Sequence, residues 1–430
     1  MVQQHYIVWC MDEKTSRDIR QEKCVEKWVK AKCKGTLIAA TGFGKTRVAL
    51  MCIKKFLDKN PQASIMVVVP TQTLKDQWIG LLLTNGIAFV NVEIINTVVK
   101  DDHVKFQCDL LVIDEIHTCG ANQFFKVFEQ VKYKIILGLT ATLERLDGRH
   151  ILLEKKAPVF DEITIEECLK NQWVSTYKKY KVLLDVDLTE YTQANTEFYN
   201  HFAFFNFDFD KAMKCLGPTG YLGRESLLKQ ICSDSSKYKD VRKEITAHAF
   251  GFMKTLQARK SFIANHPKKI EITNKILENR LNSKAITFSP TIKIAEKIKY
   301  GGVLHSKQTK KKRDLSIEEF IGMTSGCINT SKALDVGNDI PGVNLGIILG
   351  IDSSKTRLIQ RTGRIIRYSP GKEAEIFILV IKGTVEEEWL RRSSGVSSYI
   401  TIDEEGLEKV LANQPYTPKK EKEVGMLFRF

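Results

Sequence analysis

Two groups of residues in this sequence have the types and spacing that chemistry on a polyphosphate requires. The first is Ala39-Ala40-Thr41-Gly42-Phe43-Gly44-Lys45-Thr46, which follows the apolar run Thr36-Leu37-Ile38 and opens onto Arg47-Val48-Ala49-Leu50-Met51. It has the x-x-x-x-G-K-T form of a phosphate-binding loop, with Ala39 where the first glycine usually stands. Gly42 and Gly44 allow the backbone to turn its N–H groups inward around a polyphosphate, at the positive end of the helix predicted to follow. Thr41 and Phe43 belong to the same cradle. Lys45 would reach the β- and γ-phosphates and Thr46 would ligate magnesium, so ATP and Mg2+ are the expected cofactors. The second group is Asp114-Glu115, directly after Leu110-Leu111-Val112-Ile113. One carboxylate can hold magnesium, directly or through water, and the other can polarise the attacking water. A solvated strand end also carries acids, but two adjacent acids in a chain with a phosphate loop point to catalysis.

The elements that must position these groups are legible in the apolar pattern. Between the loop and residue 150, apolar runs alternate with amphipathic helices, which predicts a parallel sheet with crossover helices. Strands are expected at Ile65–Val69, ending at Pro70-Thr71; at Glu93–Ile95, ending at Asn96-Thr97; at Leu110–Ile113; and at Ile135–Leu139, ending at Thr140-Ala141-Thr142. Polar residues thus gather at the carboxyl ends of strands, where open parallel sheets bind ligands. Ahead of the loop, Ser16 to Lys34 reads as a helix with Ile19, Val25, Trp28 and Val29 on one buried face. Gln21 lies on it; its amide suits the two edge groups of adenine, and an exposed helical glutamine is the alternative.

A helix is expected at Ile163–Trp173 and a strand at Tyr180–Val186. Residues 190–260 are helix-prone and rich in aromatics, including Phe198, Tyr199, Phe202, Phe204, Phe205, Phe207 and Phe209. Beside Lys211, Lys214, Arg224 and Lys229 these rings could stack bases, or they could form the core of a small helical subdomain. A second alternating region begins near Lys268, with strands expected at Ala285–Ser289, Gly302–Ser306, Gly326–Thr330, Gly346–Gly350 and Ile376–Val380. The run Lys307 to Arg313 reads as a solvated helix start. This region has no phosphate loop but contains Gln360-Arg361-Thr362-Gly363-Arg364-Ile365-Ile366-Arg367, in which Arg364 and Arg367 are expected on one helix face. Such guanidiniums suit a γ-phosphate presented by another domain. The tail after Thr401 is polar and expected to be mobile, with Met426-Leu427-Phe428 as a docking segment.

Bulk properties agree with a multidomain nucleotide enzyme. The chain has 430 residues, 43% hydrophobic and 27% charged, which implies two or three domains. A formal net charge of +15 attracts polyanions such as nucleic acid. The ten cysteines form no C-x-x-C pair and read as reduced thiols. No signal pattern or membrane-length apolar run occurs, so a cytoplasmic protein without membrane attachment is expected, in the host cytoplasm if phage-encoded.

The ordered set Gln21, Ala40 to Thr46, Val69 to Trp78, Asp114 to His117, Thr140 to Thr142, Ala285 to Ser289, Asn329 to Asn344 and Gln360 to Arg367 resembles the motif series of superfamily 2 helicases, over about residues 15–395. Leu139 to Arg149 is similar to the XPB branch and to the phage UvsW-type branch-migration helicases. XPB proteins often carry Arg-Glu-Asp after the Thr-Ala-Thr; here Arg145-Leu146-Asp147 lacks the central glutamate, which leaves a strand-separating role of the triplet open. Lys332 to Pro341 is similar to the fifth motif. A damage-recognition domain ahead of the motor, present in larger relatives, is expected to be missing.

The resemblance implies an α/β fold of two RecA-like parallel-sheet lobes with a helical insertion between them. Expected divisions are residues 1–160 for the ATP-binding lobe, 161–262 for a linker and thumb-like helical insertion, 263–400 for the second lobe with its arginine fingers, and 401–430 for the tail. It also implies roles. Gln21 would read adenine, Lys45 and Thr46 the phosphates and magnesium, Asp114 the metal and Glu115 the water, with Gln360, Arg364 and Arg367 completing the site and Asp339 near the ribose. Pro70, Thr71, Thr97, Arg145, Ser289 and Thr330 would touch nucleic acid, and His117, Thr140 and Thr142 would couple the two sites. The implied activity is an ATP-dependent DNA helicase or translocase, expected to be a monomer, acting on single-stranded, forked or branched DNA in replication, recombination or repair. An RNA helicase and an ATP-switched strand-annealing protein are the alternatives.

Overall fold

The computed structural model describes residues 14–100, 105–145, 147–331, 340–352, 355–393 and 399–416. The first lobe opens with helix α1 (Ser16–Lys30), started by a reciprocal cap: the Thr15 hydroxyl accepts from the Asp18 backbone N–H, and the Asp18 carboxylate accepts from that of Thr15. A cap of this kind contributes about 1 kcal/mol. The buried face of α1 is Gln21, Cys24, Val25 and Trp28, three and four residues apart. Ile19 and Val29, expected on that face, fall off this stripe and are 44% and 36% exposed.

Strand β1 (Lys34–Ala39) leads through the glycine loop into α2 (Lys45–Lys59), and β2 (Ile65–Val69) leads into α3 (Gln72–Thr84). Strands β3 (Val90–Ile94), β4 (Phe106–Asp114), β5 (Val131–Thr140) and β6 (Val159–Ile163) complete a parallel sheet in the order β3-β2-β4-β5-β1-β6. The five residues of β2 are all buried, as a strand covered on both faces requires. Ile95, expected in a strand, instead begins the short helix Ile95–Lys100, which carries Thr97.

The second lobe begins with β7 (Thr176–Leu184). The chain then leaves for a helical subdomain built on α4 (Thr189–Ala203), α5 (Gly220–Ile231) and α6 (Tyr238–Asn265), and returns through α7 (Pro267–Glu278). There follow β8 (Lys284–Phe288), β9 (Gly302–His305), α8 (Lys310–Gly322), β10 (Gly326–Ser331), β11 (Leu345–Ile348), α9 (Lys355–Ile365), β12 (Glu373–Ile381), α10 (Val385–Ser393), β13 (Ile400–Ile402) and α11 (Glu404–Leu411). The strand order is β13-β7-β12-β11-β8-β10-β9, again parallel throughout.

Two stretches sit elsewhere than the sequence suggested. β7, in the stretch read as linker and insertion, pairs with β12 from Thr176↔Glu373 to Leu184↔Ile381, so the helical subdomain is an excursion from the second lobe. Ile400–Ile402, at the start of the stretch read as tail, pairs with β7, and Ile402 and Leu407 of this segment are fully buried. The strand expected at Tyr180–Val186 is thus present, with Lys179 and Lys181 alternating with the inward Tyr180, Val182 and Leu184, but its partners are distant in sequence.

In the helical subdomain Phe198, Phe205 and Phe252 form a buried cluster, whereas Phe207 and Phe209 are 45% and 50% exposed. The aromatic run is therefore core at one end and surface at the other. Among the described residues no helix is long and apolar enough to cross a membrane.

Candidate functional site

The glycine loop is held from two sides. Gly42 and Gly44 have φ of +92° and +100°, left-handed values that side chains rarely adopt, and Gly44 is the N-cap of α2. A Cβ at Gly44 would also lie 2.6 Å from Gln21 Nε2. The loop carbonyls face α1: Gln21 Nε2 donates to Phe43 O at 2.8 Å, Arg17 Nε donates to the same oxygen at 3.0 Å, and Arg17 Nη2 donates to Gly42 O. With its carbonyls tied back to α1, the loop keeps its N–H groups available for an anion at the start of α2. Gln21 is 1% exposed, and its Oε1 is buried without a hydrogen-bond partner. A buried amide with one atom unsatisfied fits an adenine donor better than it fits the exposed surface glutamine considered as the alternative. Arg17 was missed in the sequence because one arginine in a basic helix carries no signal of its own.

Lys45 Nζ lies 3.3 Å from Ala39 O, beside both carboxylates of β4's end. Asp114 is 6% exposed; Trp78 Nε1 donates to its Oδ2 at 2.9 Å and the Glu115 N–H to its Oδ1 at 3.0 Å. Burial and the neighbouring Glu115 push the Asp114 carboxyl up, against the pull of Trp78 and Lys45. Burial also pushes Glu115 up, but hydrogen bonding from His117, the charge of Lys45 and a hydrogen bond from Gln360 outweigh it and hold Glu115 low. The donor set of Asp114 and the half-buried Thr46 is all oxygen, which suits a hard cation such as magnesium.

Behind this pair runs a chain of side chains. His117 Nδ1 is 3.3 Å from Glu115 Oε2 and 3.0 Å from Thr140 Oγ1, whose hydroxyl donates to Thr142 O at 2.6 Å. The three residues expected to couple sites are therefore contiguous with Glu115.

The second lobe closes on the site through α9. Gln360 reaches Glu115, and Gly363 lies so close to Thr41 that a Cβ would sit 1.9 Å from its Oγ1. Arg361 packs over the Phe288 ring at 5.3 Å and donates to Gly350 O at 2.9 Å, a structural task. Arg364 lies on α9, next to the Gly363 contact. Arg367 does not share its helix face, as the spacing suggested: α9 ends at Ile365, and Arg367 forms an antiparallel bridge with Val174. Ser175 fixes this turn, its Oγ donating to Arg367 O at 3.0 Å and its N–H to Ile366 O at 2.9 Å. Val174 in turn stands against Gly42, where a Cβ would meet its Cγ1 at 2.9 Å. Asp339 lies outside the described residues.

The residues expected to touch nucleic acid are less uniform. Pro70 and Thr71 follow β2 and are half-buried, Thr71 capping α3 by accepting from the Leu74 N–H at 3.3 Å; Thr97 is exposed. Ser289 and Thr330, at the ends of β8 and β10, are each 1% exposed, with hydroxyls that have no hydrogen-bond partner. Arg145 is turned inward, paired through Nη2 to Asp147 at 2.7 Å and donating through Nη1 to His117 O at 2.9 Å. The loss of the central glutamate is thus accompanied by an arginine committed to its own lobe.

The first lobe matches the family described as type III restriction enzyme, res subunit, over residues 16–86 and 82–145, and the second matches the helicase conserved C-terminal domain over residues 268–369. The DNA 3'-5' translocase XPB2 of Sulfurisphaera tokodaii is 28% identical over 399 residues, covering 86% of this chain and 83% of that one. The chain is a superfamily 2 helicase and is similar to the XPB branch. It is accordingly an ATP-hydrolysing enzyme that acts on nucleic acid. A 34% identity over 131 residues links it to QP509L of African swine fever virus, provisionally named an ATP-dependent RNA helicase, over 25% of each chain. Among solved structures, S. cerevisiae Dbp5 bound to RNA and ADP BeF3 shares the fold, with a TM-score of 0.55 at 14% identity over 91% of each chain. Two RecA-like lobes are common to this helicase and that structure.

Proposed function

We propose that this helicase is a DNA translocase that uses ATP and magnesium to remodel forked or branched DNA, and that it works as a monomer. The observation that carries the mechanism is the reach of α9 to the first-lobe site: Gln360 on Glu115 and Gly363 on Thr41. ATP would lie between the loop and α9, with the unsatisfied Gln21 Oε1 toward its base and the Gly44 to Thr46 backbone around its phosphates. Magnesium, held by Thr46 and Asp114, would neutralise charge on the phosphates. Glu115, held low in pKa, accepts a proton from the attacking water, and Gln360 and His117 fix its orientation. Arg364 stabilises charge on the transferring group, as an arginine finger does. Loss of the γ-phosphate removes what α9 was drawn to, so the lobes part and close once per turnover. A strand gripped by each lobe in turn is thereby stepped.

DNA is favoured over RNA because the relative aligned over most of both chains is named a DNA translocase, while relatives named for RNA align over about a quarter. The net charge of +15 favours either polyanion and does not choose. ATPase stimulation by DNA and RNA of equal length separates the two readings, and ATP-dependent unwinding of forked, four-way and hybrid substrates identifies the preferred structure. Stimulation by RNA alone would overturn the DNA reading. Annealing unaffected by Glu115→Gln would favour the strand-annealing alternative.

A further inference from the structure

Helix α3 touches three places that must act together. Its first end, at Thr71, belongs to the stretch expected on nucleic acid. Its second turn carries Asp76, whose carboxylate accepts from Gln72 at 2.7 Å and pairs at 2.8 Å with Lys310 at the start of α8 in the other lobe. Trp78, two residues further and so on the buried side, is 1% exposed, and its indole N–H is spent on Asp114 Oδ2 at 2.9 Å. From Thr71 to Trp78 is seven residues, or roughly 10 Å of rigid helix. The helix is also braced sideways, with Lys75 Nζ 3.0 Å from Glu93 Oε2 on β3. A movement of α3 on engaging a strand therefore reaches Asp114 with no flexible joint between.

The chemistry of the contact matters as well. Asp114 has one fixed donor on each oxygen, from Trp78 and from the Glu115 backbone, so the plane of the carboxylate is set by α3 on one side and β4 on the other. Tryptophan is among the costlier residues to spend on packing alone here, since a phenylalanine would fill an apolar slot without needing a partner for N–H. A hydrogen bond to a charged group is stronger than one between neutral groups. We propose that Trp78 is a positioning residue that couples strand engagement at the start of α3 to the orientation of Asp114, and so sets how strongly nucleic acid stimulates ATP hydrolysis. This rests on reading Asp114 as the metal-side carboxylate of the ATP site.

The test compares Trp78→Phe with Asp114→Asn and wild type in three measurements on the full chain: thermal unfolding, magnesium titration of fluorescent ATP-analogue binding, and ATPase with and without a single-stranded oligonucleotide. For folded Trp78→Phe the magnesium midpoint is expected to rise about tenfold and the ratio of stimulated to unstimulated ATPase to fall by a similar factor. A folded variant with wild-type midpoint and ratio overturns the proposal. If Asp114→Asn retains turnover, the ATP-site reading itself fails; if it is dead while Trp78→Phe behaves as wild type, only the coupling fails. Should Trp78→Phe not fold, the wild-type chain is labelled with 5-fluorotryptophan, and its five tryptophan signals are assigned by substituting the other four. Oligonucleotide alone, without nucleotide, is expected to shift the Trp78 fluorine signal, and an unmoved signal contradicts the coupling.

Discussion

In the first lobe the carboxyl end of β1 runs into Gly42 and Gly44 and that of β4 into Asp114-Glu115; in the second lobe the ends of β8 and β10 carry Ser289 and Thr330. The two sheets are both parallel, and the residues that follow their strands differ in chemistry. One set can hold a triphosphate. The described residues of the other set are neutral hydroxyls, and the second lobe instead sends α9 across to the first. Each lobe also anchors its working loop differently. The phosphate loop is tied by Arg17 and Gln21 through hydrogen bonds to its carbonyls, whereas the segment leading to α9 rests on a fully buried ion pair, Lys269 and Glu386, at 2.6 Å. Lys269 also donates to Leu349 O at 2.8 Å, and Glu386 accepts from the Ile381 N–H at 3.0 Å. The comparison teaches that a shared fold leaves catalytic and activating roles to be divided by the residues each lobe brings to the cleft.

If that division is right, damage on the two sides should have different signatures. The largest effect is expected from Lys45→Ala, which removes the first lobe's phosphate contact: ATPase should fall on the order of a thousandfold, with nucleotide binding weakened in the same variant. Equal turnover in that variant would break the comparison at its root. Next is Gly363→Ala, whose Cβ would collide with Thr41 and hold α9 off the loop. Stimulated ATPase should drop about a hundredfold while nucleotide affinity, a property of the first lobe, stays near wild type. A Gly363→Ala variant that hydrolyses normally would mean that α9 need not touch the loop.

Glu386→Gln tests the second lobe's foundation. It leaves Lys269 buried without its partner and should destabilise that lobe by about 3–5 kcal/mol in denaturant unfolding, while the double change Lys269→Met with Glu386→Leu recovers most of the loss. The smallest effect is expected from Lys310→Ala. Its pair with Asp76 joins the lobes but is 68% and 41% exposed, so the unfolding temperature should not change measurably, and any effect on stimulated ATPase should vanish at high salt.

The ATP-facing half of the site was the more legible in the sequence, because a glycine loop and an acid pair are short, contiguous and chemically unusual. Asp114, Glu115, His117, Thr140 and Thr142 stand together because consecutive parallel strands end side by side. What was not legible depends on distant partners. Arg367 was placed on a helix face by its spacing from Arg364, but the bridge to Val174 ends the helix before it. Arg145 looked available for nucleic acid until Asp147 and the His117 carbonyl claimed it. Ser289 and Thr330, expected to touch nucleic acid, are buried. Trp78 and Arg17 bind the site through long-range hydrogen bonds that no local pattern announces, and β7, though expected as a strand, pairs with β12 far along the chain.

The central claim is that hydrolysis needs a residue from the second lobe at a nucleotide held by the first. The most direct measurement is single-turnover ATP hydrolysis by Arg364→Ala, with fluorescent-nucleotide affinity determined on the same sample. The account predicts affinity close to wild type and a hydrolysis rate lower by about a thousandfold. A hydrolysis rate equal to wild type, at saturating nucleotide, would contradict it.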